Sequence, residues 1–115
     1  MRKMLIAAMA SLSLFAAGSL AACGGGSTEK TDTFDVKVTG DSADKTDLQA
    51  RQGDTITLTF TTDKDEEIHL HGFDIAFDCK AGEPLTKTFE ADRTGQFEFE
   101  IEGSSTHLGN LTVKP

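Results

Sequence analysis

From about residue 33 to the C-terminus, apolar and polar residues alternate with a period of two, the spacing at which successive side chains of an extended strand fall on opposite faces. "TFDVKVT" puts Phe34, Val36 and Val38 in one register, "DTITLTFTT" does the same for Ile56, Leu58 and Phe60, and "QFEFEIE" for Phe97, Phe99 and Ile101. "TKTFEA" is strand-like around Phe89, and "LTV" near the end offers Leu111 and Val113. Between these segments lie "TGDSAD", "RQGD", "DKDEE", "KAGEP", "DRTGQ" and "EGSS", all rich in residues that reverse a chain. No segment sustains a helical period. Strands with one apolar face bury it by packing sheet on sheet or by closing a barrel. The pattern predicts an all-β domain, a single β-sandwich of about seven or eight strands.

The central stretch "EEIHLHGFDI" holds two of the three histidines, one residue apart. Read as one extended segment, counting by twos from His69 aligns His71, Phe73, Ile75, Phe77 and Cys79 with it, so both histidines are expected on the core face. Residues i and i+2 on a strand lie about 6.5–7 Å apart at Cα and point the same way, which lets two imidazoles converge on one ion at about 2 Å each. The third histidine, His107 in "SSTHLGNLTV", shares parity with Gly109, Leu111 and Val113 and is also expected to face the core.

The first 22 residues do not fit the strand pattern. Arg2 and Lys3 give a positive start, Leu5 to Ala17 an apolar run of about 13 residues, and Leu20-Ala21-Ala22 a small-residue exit, the three parts of a secretory signal peptide. The run is shorter than the roughly 20 apolar residues that span a bilayer. The following "LAAC" resembles the lipobox of bacterial lipoproteins, which implies cleavage before Cys23 and a lipid on its sulfur; the alternative is a plain secretory peptide followed by an unmodified cysteine. Residues 23–32, beginning Cys23 and "GGGSTEKTD", are expected to form a flexible tether. Residues 33–115 are then expected to form one domain, tethered outside the cytoplasmic membrane.

Composition supports this division. The chain has 115 residues, 37% hydrophobic, with only two prolines, enough for one ordinary globular domain. Lipidation of one of the two cysteines leaves Cys79 without an intrachain partner, so no disulfide framework exists. Removing Arg2 and Lys3 from 11 basic residues leaves 9 against 19 acidic ones, a charge of −10. Such a surface repels nucleic acid and weakly concentrates cations.

The succession "RQGDTITLTF", "DEEIHLHGFDIAF", "AGEPLTKTFEADRTGQFEFEIE" and "THLGNLTVKP" resembles the cupredoxin-like domains, including the variety found beside iron-transport lipoproteins of the EfeO type. "HLHGF" also resembles a copper-binding motif of multicopper oxidases. The resemblance covers about residues 33–115 and implies a Greek-key β-sandwich. It also implies a first metal ligand at His71. A blue-copper site would further need a cysteine, a histidine and often a methionine before the last strand; aligning "FEFEIEGSSTHLGNLTV" puts Ile101 where the cysteine belongs, Ser104 near the second histidine and His107 near the methionine. The defining thiolate is missing. On an extended strand Cys79 lies about 26 Å from His71, and it reads as a small buried hydrophobe.

The expected metal site therefore comprises His71 and His107, with His69 as a third ligand and Glu67 and Asp74 as oxygen donors or as partners that orient the imidazoles. All three methionines precede residue 23. A histidine site without sulfur suits Cu(II) or Zn(II), with copper favoured by the Irving–Williams order. The functional expectation is a membrane-anchored, extracytoplasmic lipoprotein that buffers or delivers metal, to a transport or envelope partner, without blue-copper electron transfer. The competing expectation is a metal-free sandwich serving as a protein-interaction or envelope-structural module. Catalysis is not expected: Ser104, Ser105 and Thr106 lie beside His107, but its sequence neighbours supply no obvious carboxylate to orient it.

Overall fold

The computed structural model describes residues 30–115; the expected signal peptide and Cys23 lie outside the described residues. Among these there are nine strands and no helix: β1 (Thr31–Thr39), β2 (Ser42–Ala43), β3 (Asp47–Arg51), β4 (Thr55–Thr62), β5 (Glu66–Leu70), β6 (Ile75–Cys79), β7 (Leu85–Glu90), β8 (Gly95–Ile101) and β9 (Thr106–Lys114). One sheet runs β2-β1-β4-β7 and the other β3-β9-β8-β5-β6. The β1–β4 and β3–β9 pairs are parallel, and the rest are antiparallel. The all-β sandwich read from the sequence is the architecture found. The two-residue β2 and the short β3 raise the strand number to nine; β3 was hidden between two turn-rich stretches, although Leu48 and Ala50 alternate inward along it.

The apolar registers fill the space between the sheets. Val36 and Val38 from β1, Ile56, Leu58 and Phe60 from β4, and Leu111 and Val113 from β9 are buried there. Phe60 links the two layers: its ring meets Phe77 of the facing sheet edge-on at 4.8 Å and 80° and lies 5.4 Å from Phe99. On the outer face of the four-stranded sheet, the in-register pairs Thr57–Thr88 and Thr59–Thr86 share hydroxyl hydrogen bonds of 3.3 and 2.6 Å. β-Branched side chains with a small hydroxyl suit such a wet sheet face, because the methyl covers the neighbouring strand while the oxygen stays bonded.

Two local irregularities set the faces of the five-stranded sheet. β5 and β6 are separate strands of a hairpin, reversed by residues 71–74, in which Gly72 has φ +86° and Asp74 φ +58°. A Cβ on Gly72 would overlap the Phe97 ring, so both space and dihedral demand glycine there. The second irregularity is a bulge: Phe99 pairs with Gly109 but Glu100 with His107, leaving Leu108 as the extra residue of β9.

Candidate metal centre

On β5 the inward positions belong to Ile68 and Leu70, both 0% exposed, so the histidines take the opposite face. This corrects the core-facing placement of His69 and His71. Phe77 and Cys79 do face the core, but the four-residue turn between β5 and β6 inverts the parity counted back from them. His107 is likewise turned outward, against expectation: the bulge swings Leu108 into the core at 3% exposure and leaves the His107 side chain 57% exposed. All three histidines thus lie on the outer face of the five-stranded sheet. A hydrophobic interior selects Ile, Leu and Phe over imidazole, and the turn and the bulge are where the chain makes that adjustment.

The same logic on β8 puts Phe99 and Ile101 inward and Glu98 and Glu100 outward, and Glu102, just past the strand, is exposed. β5 and β8 are paired, with His69 opposite Glu100 and the His71 amide donating to the Glu98 carbonyl at 2.9 Å. Each histidine consequently meets a carboxylate. His71 Nε2 lies 3.2 Å from Glu100 Oε2, His107 Nδ1 lies 2.7 Å from Glu98 Oε2, and His69 Nε2 lies 3.0 Å from Asp74 Oδ1. His69 Nδ1 is 3.9 Å from Glu102 Oε1, and its ring stands edge-on to that of His71 at 4.5 Å between centroids. Glu67 occupies the same outer face beside His69, and among the described residues its carboxylate makes no ion pair with a histidine.

The convergent donors are His71, Glu98 and Glu100, whose ligand atoms all lie within 4.8 Å of one another. Ligands held at about 2.0–2.2 Å from a common ion are at most about 4.4 Å apart, so modest rotation of one glutamate closes the set. Among the described residues His71 Nε2 has no hydrogen-bond partner, despite the nearby Glu100 oxygen, and the atom is buried. An uncommitted buried nitrogen beside two carboxylates matches what a metal ligand must offer. His107 is joined to this triad through Glu98, and His69 through its edge-on ring contact with His71. Glu98 and Glu100 were missed from the sequence, where only the alternating Phe97, Phe99 and Ile101 of that segment were singled out. The available signal was that the glutamates alternate with those three.

Among the described residues no sulfur belongs to the set. Ile101, where the resemblance puts the cysteine, is a core residue at 5% exposure. Cys79 pairs in register with Glu66, at the end of the β5–β6 hairpin remote from the turn after His71, and its side chain points into the core. Burial pushes its thiol from the ordinary 9.0 up to about 11. Between those values the unfolded chain loses the proton while the folded chain retains it, so stability falls as pH rises from about 9 to 11, by roughly 2–3 kcal/mol in full. Urea denaturation at pH 8.5 and 10.5 should show this extra loss in the parent and not in Cys79→Ala; equal losses would exclude it.

His107 also acquires a carboxylate in space, Glu98, that its sequence neighbours lack. Among the described residues no hydroxyl hydrogen-bonds to it; Ser104 Oγ is bonded instead to Thr106 Oγ1 at 2.7 Å.

No family model matches the chain, and no curated protein matches it significantly. Several solved structures are similar. One is a copper-binding protein whose apo form was determined in solution by NMR, with TM-score 0.63 and 16% identity over 73% of this chain and 88% of that one. Another is auracyanin A, a blue copper protein from Chloroflexus aurantiacus, with TM-score 0.59 and 16% identity over 73% and 99%. A third is the laccase from Botrytis aclada, with TM-score 0.63 and 16% identity over 76% of this chain. The chain spans 23% of that laccase's length. At such identity the likeness is one of fold, and the fold is that of a cupredoxin-like β-sandwich.

Proposed function

We propose that this chain is an extracytoplasmic lipoprotein, anchored through Cys23, whose cupredoxin-like domain binds a transition-metal ion at His71, Glu98 and Glu100 for buffering or delivery. The observation that carries the reading is the convergence of those three donors around an unpartnered imidazole nitrogen. One nitrogen and two carboxylate oxygens form a set without sulfur, which suits Cu(II) and, next, Zn(II). The copper proteins among the similar folds favour copper. A site on an open sheet face, with coordination positions left for water or for a partner's ligand, suits exchange of the ion. Without a thiolate it does not suit fast blue-copper electron transfer. A binding role is proposed here, not a catalytic one.

A second reading has its own observation. His69 and His107 are hydrogen-bonded to carboxylates and His71 lies 3.2 Å from a third, an arrangement that also serves a metal-free face used for protein contact. Titration separates the two. Residues 27–115, which contain every described strand, are expected to bind one Cu(II) with micromolar or better affinity. The bound ion should give a d–d band and an EPR spectrum of nitrogen-oxygen type without a thiolate charge-transfer band. Zinc should compete more weakly. If micromolar Cu(II) leaves the spectra those of free copper, the metal-free reading stands.

A further inference from the structure

The turn that follows His71 is gripped from the other sheet. The connection between β7 and β8, residues 91–94, crosses from the four-stranded to the five-stranded sheet, and Arg93 reaches from it to the turn. Its Nη1 donates to the Gly72 carbonyl at 2.6 Å, and its guanidinium carbon lies 5.1 Å from the centre of the Phe73 ring. Nε donates to Asp92 Oδ1 at 3.0 Å, which fixes the plane of the fork. Phe73 in turn packs against Phe97 at 4.7 Å and Phe89 at 5.2 Å, so the turn is held from the core side as well.

The held turn bears directly on the histidines. His71 immediately precedes Gly72, and Asp74, in the left-handed region at φ +58°, receives the His69 hydrogen bond at 3.0 Å. His69 then stands edge-on against His71. Two positive-φ residues within three positions define a backbone that relaxes readily unless its neighbours constrain it. Arg93 supplies a constraint at the carbonyl between them and another at the ring between them.

We propose that Arg93 is the positioning residue of the metal centre: by clamping the Gly72 carbonyl and the Phe73 ring it fixes the turn that presents His71, and so raises the affinity of a site whose ligands it does not touch. This inference rests on the reading of His71, Glu98 and Glu100 as the metal site.

Charge and geometry predict opposite outcomes for this residue. Arg93 is a cation near a cation site, so if its charge alone mattered, Arg93→Gln would tighten Cu(II) binding and Arg93→Lys would leave it unchanged. A clamp predicts that both weaken it, because neither side chain retains the planar fork and the stack together. The expected loss is roughly 10-fold for each, the scale of groups that orient metal ligands. Thermal midpoints near the parent value would show that the domain remains folded.

The experiment is competitive Cu(II) titration of the parent, R93K and R93Q, with NMR of the same three proteins without metal. In the metal-free spectra the Gly72 amide and the His69 and His71 ring resonances are expected to shift, and the contacts between those rings to weaken. Tighter binding by R93Q, or parent-like binding by R93K, overturns the clamp. If the parent itself binds no Cu(II), the metal reading fails, and the metal-free spectra decide the rest. Unchanged His69 and His71 rings in both variants would leave Arg93 no part in their placement.

Discussion

Replacing His71 with alanine is expected to lower Cu(II) affinity by more than about 100-fold, beyond the 10–100-fold typical of groups that merely orient a ligand. His71 supplies the only nitrogen in the convergent set, and its Nε2 is the atom without a hydrogen bond to surrender when an ion arrives. Stability should change little, by about 0.5 kcal/mol or less, because the side chain is 45% exposed and contributes no core packing. His107→Ala makes a useful contrast. It removes the group hydrogen-bonded to Glu98 without removing a member of the triad, so a smaller loss, nearer 10-fold, is expected. Competition with a chromophoric chelator measures both constants, and nitrogen hyperfine structure in the EPR spectrum counts the imidazoles. Equal losses in the two variants, with one nitrogen missing from each spectrum, would make His107 a ligand and displace Glu98 or Glu100. Unimpaired binding by His71→Ala would remove the site altogether.

The largest effect on folding is expected at Phe60. Its ring is fully buried at the joint of the sandwich and touches the rings of both Phe77 and Phe99 from the opposite sheet. Phe60→Ala leaves a cavity between layers that neither sheet can close without breaking its own ladder. The cost should be about 3–5 kcal/mol, a large share of the roughly 5–15 kcal/mol that holds a domain of this kind. Urea denaturation would read it as a lower midpoint with little change in slope, since the surface exposed on unfolding is nearly the same. Phe60→Leu refills part of the space and should cost clearly less. A loss below about 1 kcal/mol in the alanine variant would mean that the two sheets rely on contacts other than this aromatic cluster.

Much of this architecture was legible from alternation alone. The registers of Val36 and Val38, of Ile56, Leu58 and Phe60, and of Phe99 and Ile101 all point inward as read, because burying one face of each strand is the dominant favourable contribution and the chain has no helical pattern to compete with it. The site was less legible, and its errors have a common cause. Parity counting assumes an unbroken strand. It failed for His69 and His71 because residues 71–74 reverse the chain, and for His107 because Leu108 is an additional residue in the ladder. Gly72 and Asp74 were hints of the reversal; comparing Ile68 and Leu70 with the intervening histidines as core candidates would have indicated the true face. Glu98 and Glu100 were overlooked for a different reason. Acidic residues on a strand face carry no signature of metal binding until pairing sets a histidine beside them, and pairing between β5 and β8 joins segments some thirty residues apart.

The bulge at Leu108 has a consequence for how such a surface changes over generations. Along most of β9, exchanging one amino acid for another alters what a position displays but not where it displays it. At the bulge the count of residues can change without turning a neighbour over: loss of the Leu108 codon alone would restore regular alternation, with Gly109 inward and His107 still outward opposite Glu100, and would remove only the inward Leu108 side chain. A one-residue gap at Leu108 among related chains would therefore leave the outward imidazole beside Glu98 in place, whereas a one-residue gap elsewhere in the ladder would reverse the faces of the positions beyond it.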